Sequence, residues 1–221
     1  MIRVFRAAGW WLSDYVYAGY WQLRAFFGRI DPTVFASGPA APVVVIPGVY
    51  ETWKFMQPLI ALIHDHGHPV HIVDSLHRNR HPVAELADAI TRYLETENLT
   101  DVILVAHSKG GLAGKLAMTG PAAARIRSML AIATPFGGSR YARRIPVRTL
   151  RALSPDDPSI VGLAQQLTVN ERIVSVYADF DPHIPEGSAL RGAKNVRLAT
   201  GGHFRILAHP RLLAELAVMA Q

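Results

Sequence analysis

The sequence contains no cysteine. This absence excludes disulfide frameworks, thiol nucleophiles and zinc sites with cysteine ligands. Acidic residues are in the minority, since 17 Asp and Glu stand against 23 Lys and Arg and leave a formal net charge of +6. A basic chain can bind nucleic acid or an anionic membrane surface, but no RNP, zinc-finger or aromatic-basic repeat accompanies the charge. We therefore expect no nucleic-acid partner.

Internal repeats and low-complexity segments are also absent from the sequence. The 221 residues are half hydrophobic and 18% charged, which is a globular composition. We expect an N-terminal segment at 1–38 and one main domain at 39–221. The stretch from 137 to 170 has no strand pattern although strands are predicted on both sides of it, so we interpret it as a cap-like insertion.

The N-terminal segment has no signal-peptide cleavage pattern, and Asp14 interrupts its apolar stretch. It is also too polar to span a membrane, because Arg24 ends its second half. A helical wheel places large apolar side chains on one side: Leu12, Tyr15, Val16, Leu23, Phe26 and Phe27. The opposite side combines polar and aromatic residues: Arg3, Arg6, Ser13, Asp14, Arg24, Trp10, Tyr17 and Trp21.

This pattern predicts an amphipathic N-terminal helix. Such helices usually pack on a core, and we expect that here, with peripheral contact to a membrane surface as the alternative. The expected location is the cytoplasm, with association to a membrane left open.

Six short apolar runs, rich in β-branched residues, are typical of strands buried on both faces. They lie at 43–47, 68–74, 101–106, 128–133, 172–178 and 195–200. Helical patterns lie between or after them at 51–67, from Pro82 to Leu94, at 108–118 and at 204–220, where Pro210 is a possible break. Strands that alternate with helices predict an α/β fold with about six mostly parallel strands and helices on both faces.

The third strand runs directly into the string Ala106-His107-Ser108-Lys109-Gly110, and a helical pattern follows. A strand, a sharp turn and a helix with Gly-x-Ser-x-Gly spacing form a nucleophile elbow, in which Ala106 takes the place of the first glycine. The nucleophile of such a turn has a positive φ, and only small residues fit two positions away. The pattern predicts Ser108 as a nucleophile at the carboxyl edge of the sheet, whereas the alternative is a serine that only caps its helix.

A serine hydroxyl needs a base that an acid orients. The expected order is serine, acid, histidine, with each residue after its own strand. His203 follows the last predicted strand and is our candidate base. Asp181 follows the preceding strand and is the preferred acid over Asp179, with Glu186 third.

These motifs make the chain resemble the α/β-hydrolase superfamily, and in particular small bacterial lipases and esterases whose elbow reads Ala-His-Ser-x-Gly-Gly. The resemblance covers residues 43–220 and implies a minimal six-stranded version of the fold. It also implies an oxyanion hole made by the backbone N–H groups of Lys109 and Val49, with Tyr50 as the neighbouring option. The family often has His-Gly before this position, whereas this chain has Pro47-Gly48.

Three other patterns carry less weight. The histidines at 64, 66, 68 and 71 cross a predicted helix end and a strand start, so we expect no metal site there. His107 is interpreted as a packing residue. His183 is interpreted as part of a surface loop, with a place in the lining of the site as the alternative. An arginine run in the predicted cap is interpreted as a solvated face, with a role in holding anionic head groups or an acidic substrate left open: Arg140, Arg143, Arg144, Arg148 and Arg151.

The sequence therefore predicts a serine hydrolase that cleaves carboxylic esters, including lipid-like ones, through Ser108, His203 and Asp181 and without a cofactor. The expected partner is a small-molecule ester or lipid substrate. Two alternatives remain open at this point. One is an acyltransferase with the same three residues, and the other is a non-catalytic, membrane-associated binding protein of the same fold.

Overall fold

The computed structural model describes residues 2–76 and 78–221, and these residues form a six-stranded sheet. Its strands are β1 (Val43–Ile46), β2 (Val70–Ile72), β3 (Val102–His107), β4 (Ile126–Ile132), β5 (Ile173–Phe180) and β6 (Lys194–Gly201). Each pair of neighbouring strands is parallel, and their order is β2-β1-β3-β4-β5-β6. The predicted six-stranded α/β architecture is confirmed, with a sheet that is parallel throughout.

Helices cover both faces of the sheet, as predicted. They are α1 (Ile2–Phe27), α2 (Gln57–Asp65), α3 (Val83–Thr96), α4 (Lys109–Ala117), α5 (Arg148–Arg151), α6 (Pro158–Gln165) and α7 (Arg211–Met219). The core on one face contains side chains of α3, α4 and α6, and the core on the other face contains side chains of α2 and α7. Strands β1 and β3 are fully buried between these layers, which explains their continuous apolar sequences.

Two predicted helices are shorter than their sequence patterns. A 3-10 turn at Trp53–Met56 precedes α2, which begins only at Gln57. Another 3-10 turn at Arg205–Ala208 precedes α7, and Pro210 separates the two. Proline has no N–H to donate to a preceding turn, so the last helix begins after Pro210.

The N-terminal helix packs on the domain, but through the side opposite to the one its apolar residues indicate. Asp14 is completely buried, and Trp10, Tyr17 and Trp21 on the same side are partly buried. The large apolar residues on the other side, among them Leu12, are exposed. The side chains of Arg3 and Arg6 lie outside the described part of the chain. Among the described residues, no helix combines the length and the apolar composition that crossing a bilayer requires.

The segment interpreted as a cap contains short helical pieces: the 3-10 turn Arg140–Arg144, α5 and α6. It lies between β4 and β5 in the chain, and none of its residues, all of which are described, belongs to a strand.

The strand order reverses between β1 and β3, because β2 lies on the far side of β1. In open parallel sheets, ligands bind in the crevice outside the carboxyl ends of strands at such a point. The candidate residues follow β1, β3, β5 and β6, so the topology brings all of them to this edge of the sheet.

Candidate active site

Ser108 lies in the turn between β3 and α4 with φ 50° and ψ −124°. This left-handed conformation is strained for a residue with a side chain, and such strain persists only where the surroundings enforce it. The Ser108 N–H donates to the Ile132 carbonyl at 2.8 Å, which ties the turn to the end of β4. The predicted conformation of the serine is therefore present.

The residues that follow Ser108 in the turn must be small for a steric reason. A Cβ at Gly110 would lie 2.5 Å from the carbonyl oxygen of Ile46 and 2.7 Å from that of Pro47. A Cβ at Gly111 would overlap the Thr134 side chain. The start of α4 can therefore approach the ends of β1 and β4 only with glycine at these two positions.

The structure brings the three predicted side chains together in one hydrogen-bonded series. His203 Nε2 lies 3.0 Å from Ser108 Oγ, and His203 Nδ1 lies 2.8 Å from Asp181 Oδ2. All three side chains are buried, with residue exposures of 4% for His203, 6% for Ser108 and 8% for Asp181. A proton can move from serine to imidazole while the carboxylate fixes the tautomer of the ring.

The two other carboxylates considered as the acid lie elsewhere. Asp179 is exposed and forms an ion pair with Arg197 at 2.5 Å. Glu186 forms an ion pair with Arg140 at 2.6 Å. Two backbone hydrogen bonds hold Asp181 in place, because its Oδ1 accepts the N–H groups of His183 at 2.8 Å and Ile184 at 3.1 Å. Asp181 alone among these three carboxylates bonds to His203.

The pKa shifts favour a charged pair. Burial tends to raise the pKa of Asp181, but the charge and hydrogen bond of His203 and the N–H of His183 lower it overall. Burial tends to lower the pKa of His203, but the Asp181 carboxylate raises it overall above its ordinary value. An imidazolium stabilised beside a carboxylate is the state that forms when the serine loses its proton.

The predicted oxyanion donors are the backbone N–H groups of Lys109, next to Ser108 in sequence, and of Val49, which lines the same cavity as Ser108. Lys109 is the first residue of α4, where the N–H has no acceptor within the helix. In the loop after β1, the N–H of Tyr50 is already bonded to the Arg78 carbonyl at 2.8 Å. No acceptor for the N–H of Val49 occurs in the part of the chain that the structure describes. This difference favours Val49 over Tyr50 as the second donor.

A buried carboxylate that the sequence analysis missed organises the loop carrying Val49. Glu51 is 2% exposed, and its Oε2 accepts the Gly48 N–H at 2.7 Å. The same oxygen lies 2.9 Å from His107 Nδ1, and His107 Nε2 lies 3.0 Å from the His203 carbonyl oxygen. His107 is therefore a hydrogen-bonded bridge between two loops of the site rather than a packing residue. The pattern Pro47-Gly48 without the family's histidine was a hint that another group shapes this loop.

Asp14 is the second buried carboxylate that sequence reasoning left out of the site. Its two oxygens accept three backbone N–H bonds, from His203 at 2.8 Å, Phe204 at 2.9 Å and Arg205 at 2.8 Å. The approach requires Gly202, which has φ 124° and whose Cβ would lie 2.5 Å from Asp14 Oδ1. An acidic residue that interrupts an otherwise apolar helix was the signal for this contact.

Ser108 lines a cavity of about 340 Å³, within the range of small-molecule sites. The side chains that line it are mostly apolar, and several come from the segment interpreted as a cap: Tyr141, Ala142, Ile145, Leu150 and Leu153. His183 also lines the cavity and is not confined to a surface loop. Burial lowers its pKa to about 4, so its ring is neutral near pH 7. A larger cavity of about 630 Å³ is lined by Trp11, Tyr177 and Arg197 instead of Ser108 and His203.

The other histidines and arginines have separate environments. His66 and His68 bond to the carbonyl groups of Leu62 and Ala41, at 2.7 Å and 2.8 Å. Arg143 pairs with Asp156 at the surface. The described residues contain no group of side chains able to hold a metal ion.

Solved structures of other proteins share this architecture, although no protein-family model and no curated protein matches the chain. Among solved structures, a Bacillus licheniformis lipase in its mature form is 15% identical with a TM-score of 0.63, over 87% of this chain and 95% of the lipase. An α/β hydrolase enzyme from the sediment metagenome of the Mar Chica lagoon in Morocco is 16% identical with a TM-score of 0.60, over 82% of this chain and 90% of that enzyme. A Bacillus subtilis carboxylesterase is 13% identical with a TM-score of 0.53, over 84% of this chain and 85% of the carboxylesterase.

Similarity at these identities concerns the backbone arrangement, because one fold supports many reactions. The sheet order, the turn at Ser108 and these structural neighbours agree on the same architecture. The chain has the α/β-hydrolase fold.

Proposed function

We propose that this protein is a serine hydrolase that cleaves carboxylic esters with an apolar acyl group. The observation that carries the proposal is the hydrogen-bonded series Ser108–His203–Asp181 at the wall of an apolar cavity. A hydroxyl beside an oriented imidazole is an activated nucleophile. The apolar lining matches an acyl chain better than a charged substrate.

In the first half of the reaction, Ser108 Oγ attacks the ester carbonyl carbon and His203 Nε2 takes the serine proton. The N–H groups of Lys109 and Val49 stabilise the oxyanion, each by about 3 kcal/mol. The carbon–oxygen bond to the alcohol then breaks, and the alcohol leaves with the proton from His203. The product bound to the enzyme is an acyl ester of Ser108.

In the second half, His203 takes a proton from water, and the resulting hydroxide attacks the acyl-enzyme carbonyl. The bond to Ser108 Oγ breaks, the serine recovers the proton from His203 and the carboxylic acid leaves. Asp181 keeps its negative charge throughout and stabilises the imidazolium in both halves.

Labelling with a fluorophosphonate probe tests the proposal. The probe phosphonylates a serine, with loss of fluoride, when a base and oxyanion donors activate the hydroxyl. We expect mass spectrometry to find the label on the peptide that contains Ser108, and we expect His203→Ala to abolish it. Turnover of p-nitrophenyl butyrate and octanoate is measured in parallel, and Ser108→Ala is expected to lose about 10⁴-fold or more of the activity.

Ser159→Ala is the matched control, because Ser159 is an exposed serine on α6. It is expected to keep both labelling and turnover. Failure to label the folded protein, or full turnover by Ser108→Ala, contradicts the proposal.

A further inference from the structure

The exposed side of α1 is almost entirely apolar. We define the outer face of α1 as its large exposed residues: Trp11, Leu12, Tyr15, Val16, Tyr20, Leu23, Phe26 and Phe27. Phe26 and Phe27 are each 73% exposed, and Leu12, Val16 and Leu23 are all more than 60% exposed. Monomeric proteins rarely expose an apolar patch of this continuity without a function for it.

Packing on the domain does not explain this composition, because the domain binds the other side of the helix. Asp14, Trp10, Tyr17 and Trp21 make that contact. Tyr15, at the edge of the outer face, also touches the domain, at His183 and Phe204. We infer that the rest of the outer face has a role separate from folding.

The charge of α1 indicates what kind of surface its outer face fits. Asp14 is the sole acidic residue in the sequence of this helix, and its carboxylate is buried and bonded to backbone N–H groups. Arg24 is exposed in the last turn of the helix, and Arg29 is exposed just beyond it. An apolar face with tyrosine and tryptophan, with exposed arginines at its C-terminal end, is complementary to the headgroup region of a bilayer with anionic lipids.

A second copy of this chain is a poorer fit. It would present the same apolar face and the same arginines, with no exposed carboxylate on the helix to pair with them. An anionic bilayer supplies both an apolar layer and negative charge.

The outer face also adjoins the candidate active site. The Tyr15 hydroxyl lies 3.1 Å from His183 Nε2, and His183 lines the cavity at Ser108. Gln22, which is exposed on α1, lines the same cavity. A surface that covers the outer face would therefore lie beside the cavity.

We propose that the outer face of α1 docks the protein on bilayers that contain anionic lipids, with the helix lying in the plane of the interface. The lipid binding itself depends only on α1. The further consequence, that Ser108 then takes ester substrates from the bilayer, rests on the proposed function.

Co-sedimentation of the full chain with vesicles tests the docking. Vesicles of phosphatidylcholine alone are compared with vesicles of phosphatidylcholine mixed with phosphatidylglycerol, at low and at high salt. We expect binding to the mixed vesicles, weaker binding to the neutral ones and a loss of the difference at high salt.

Three variants separate the contributions. The triple variant Leu12→Gln, Val16→Gln, Leu23→Gln is expected to bind mixed vesicles at least about tenfold more weakly. The double variant Arg24→Gln, Arg29→Gln is expected to lose the preference for phosphatidylglycerol. The control Leu62→Gln, Val161→Gln, Val218→Gln alters three exposed apolar residues on α2, α6 and α7 and is expected to bind as the unchanged protein does.

Circular dichroism and thermal unfolding confirm that each variant is folded before binding is compared. Equal binding by the outer-face variant and the unchanged protein overturns the proposal. It is also overturned if analytical ultracentrifugation finds a dimer that the outer-face variant disperses, together with no vesicle binding.

The test is independent of catalysis. Ser108→Ala is expected to bind vesicles as well as the unchanged protein does. Vesicle binding by a protein that resists fluorophosphonate would contradict the proposed function and leave the docking surface standing. Labelling of Ser108 without vesicle binding would contradict the docking surface and leave the proposed function standing.

Discussion

The carboxylate of Asp14 accepts a hydrogen bond from the backbone N–H of His203 at 2.8 Å, across 189 positions of sequence. With its bonds to the next two N–H groups, the N-terminal helix holds the loop that presents the candidate base. The helix is therefore part of the support of the site as well as a surface element.

Removing this carboxylate is expected to weaken both the fold and the reaction. Asp14→Ala leaves three backbone N–H groups in a buried place without their acceptor, so the free energy of unfolding falls by about 2–4 kcal/mol. Displacement of the His203 loop lowers kcat by about 10- to 100-fold. Urea unfolding and ester turnover measure the two effects.

Asp14→Asn keeps one acceptor oxygen and is expected to lie between Asp14→Ala and the unchanged protein. The control is Asp31→Ala, since Asp31 also accepts a backbone N–H, from Thr33, but is exposed. It is expected to lose less than about 1 kcal/mol. Unchanged stability and turnover in Asp14→Ala would show that the helix does not support the site.

The charge of Asp181 is expected to set the pH dependence of the reaction. His203 accepts a proton only when its ring is neutral, so activity falls as pH drops through the pKa of His203. Burial tends to lower the pKa of His203, but the Asp181 carboxylate raises it overall. Asp181→Asn is therefore expected to shift the acid limb of kcat/KM to lower pH and to reduce kcat by about 10⁴-fold.

Asp179→Asn is the control for this experiment, because Asp179 is exposed and paired with Arg197. We expect it to leave both the acid limb and kcat unchanged. An acid limb that stays in place in Asp181→Asn would mean that another group controls it.

Glu51 is expected to position the loop that carries the Val49 N–H. Glu51→Ala removes the acceptor of the Gly48 N–H and the partner of His107, so the loop can move away from its position beside Ser108. An oxyanion donor acts mainly in the transition state, so kcat is expected to fall by about 100-fold while KM changes little.

Glu51→Gln is expected to recover part of this loss because its amide oxygen can still accept the Gly48 N–H. Glu85→Ala, which removes an exposed partner of His81, is the control and is expected to keep full activity. A rise in KM at constant kcat would instead assign Glu51 to substrate binding.

Lys115 is expected to reduce stability near neutral pH. Its side chain is 1% exposed on α4, and burial lowers its pKa to about 8 from 10.5. Between these two values the unfolded chain binds more protons than the folded one, so the contribution of Lys115 to stability rises with pH through this window.

Lys115→Met removes the buried charge and is expected to raise the free energy of unfolding at pH 7 by about 1–3 kcal/mol. It should also flatten the increase in stability from pH 8 to 10.5, as measured by urea unfolding across that range. Lys54→Met is the control, because Lys54 is partly exposed and donates to the Gly28 carbonyl, and we expect it to give no gain in the free energy of unfolding at pH 7. A loss of stability at pH 7 in Lys115→Met would show that the ammonium group makes a favourable contact.

The local sequence determined the strands, the turn at Ser108 and the order of the candidate residues. A continuous apolar run such as 43–46 is typical of a strand in a sheet that is covered on both faces, so the residue types alone predict a buried strand there. The small residues around Ser108 are equally local, since their steric need arises within a few positions of the turn.

Tertiary structure alone decided that Glu51 and Asp14 support the site and which side of α1 meets the domain. Asp181 and Asp179 are two positions apart. Asp179 lies in β5 and pairs with Arg197 of the neighbouring β6, whereas Asp181 follows the end of β5 and bonds to His203. A helical wheel places Asp14 on the polar side of α1, where a residue is expected to face solvent. The wheel cannot show that three backbone N–H groups from the far end of the chain bind its carboxylate. The wheel measures how apolar each side of α1 is, whereas the packing of this helix is determined by hydrogen-bond donors that only the folded domain assembles.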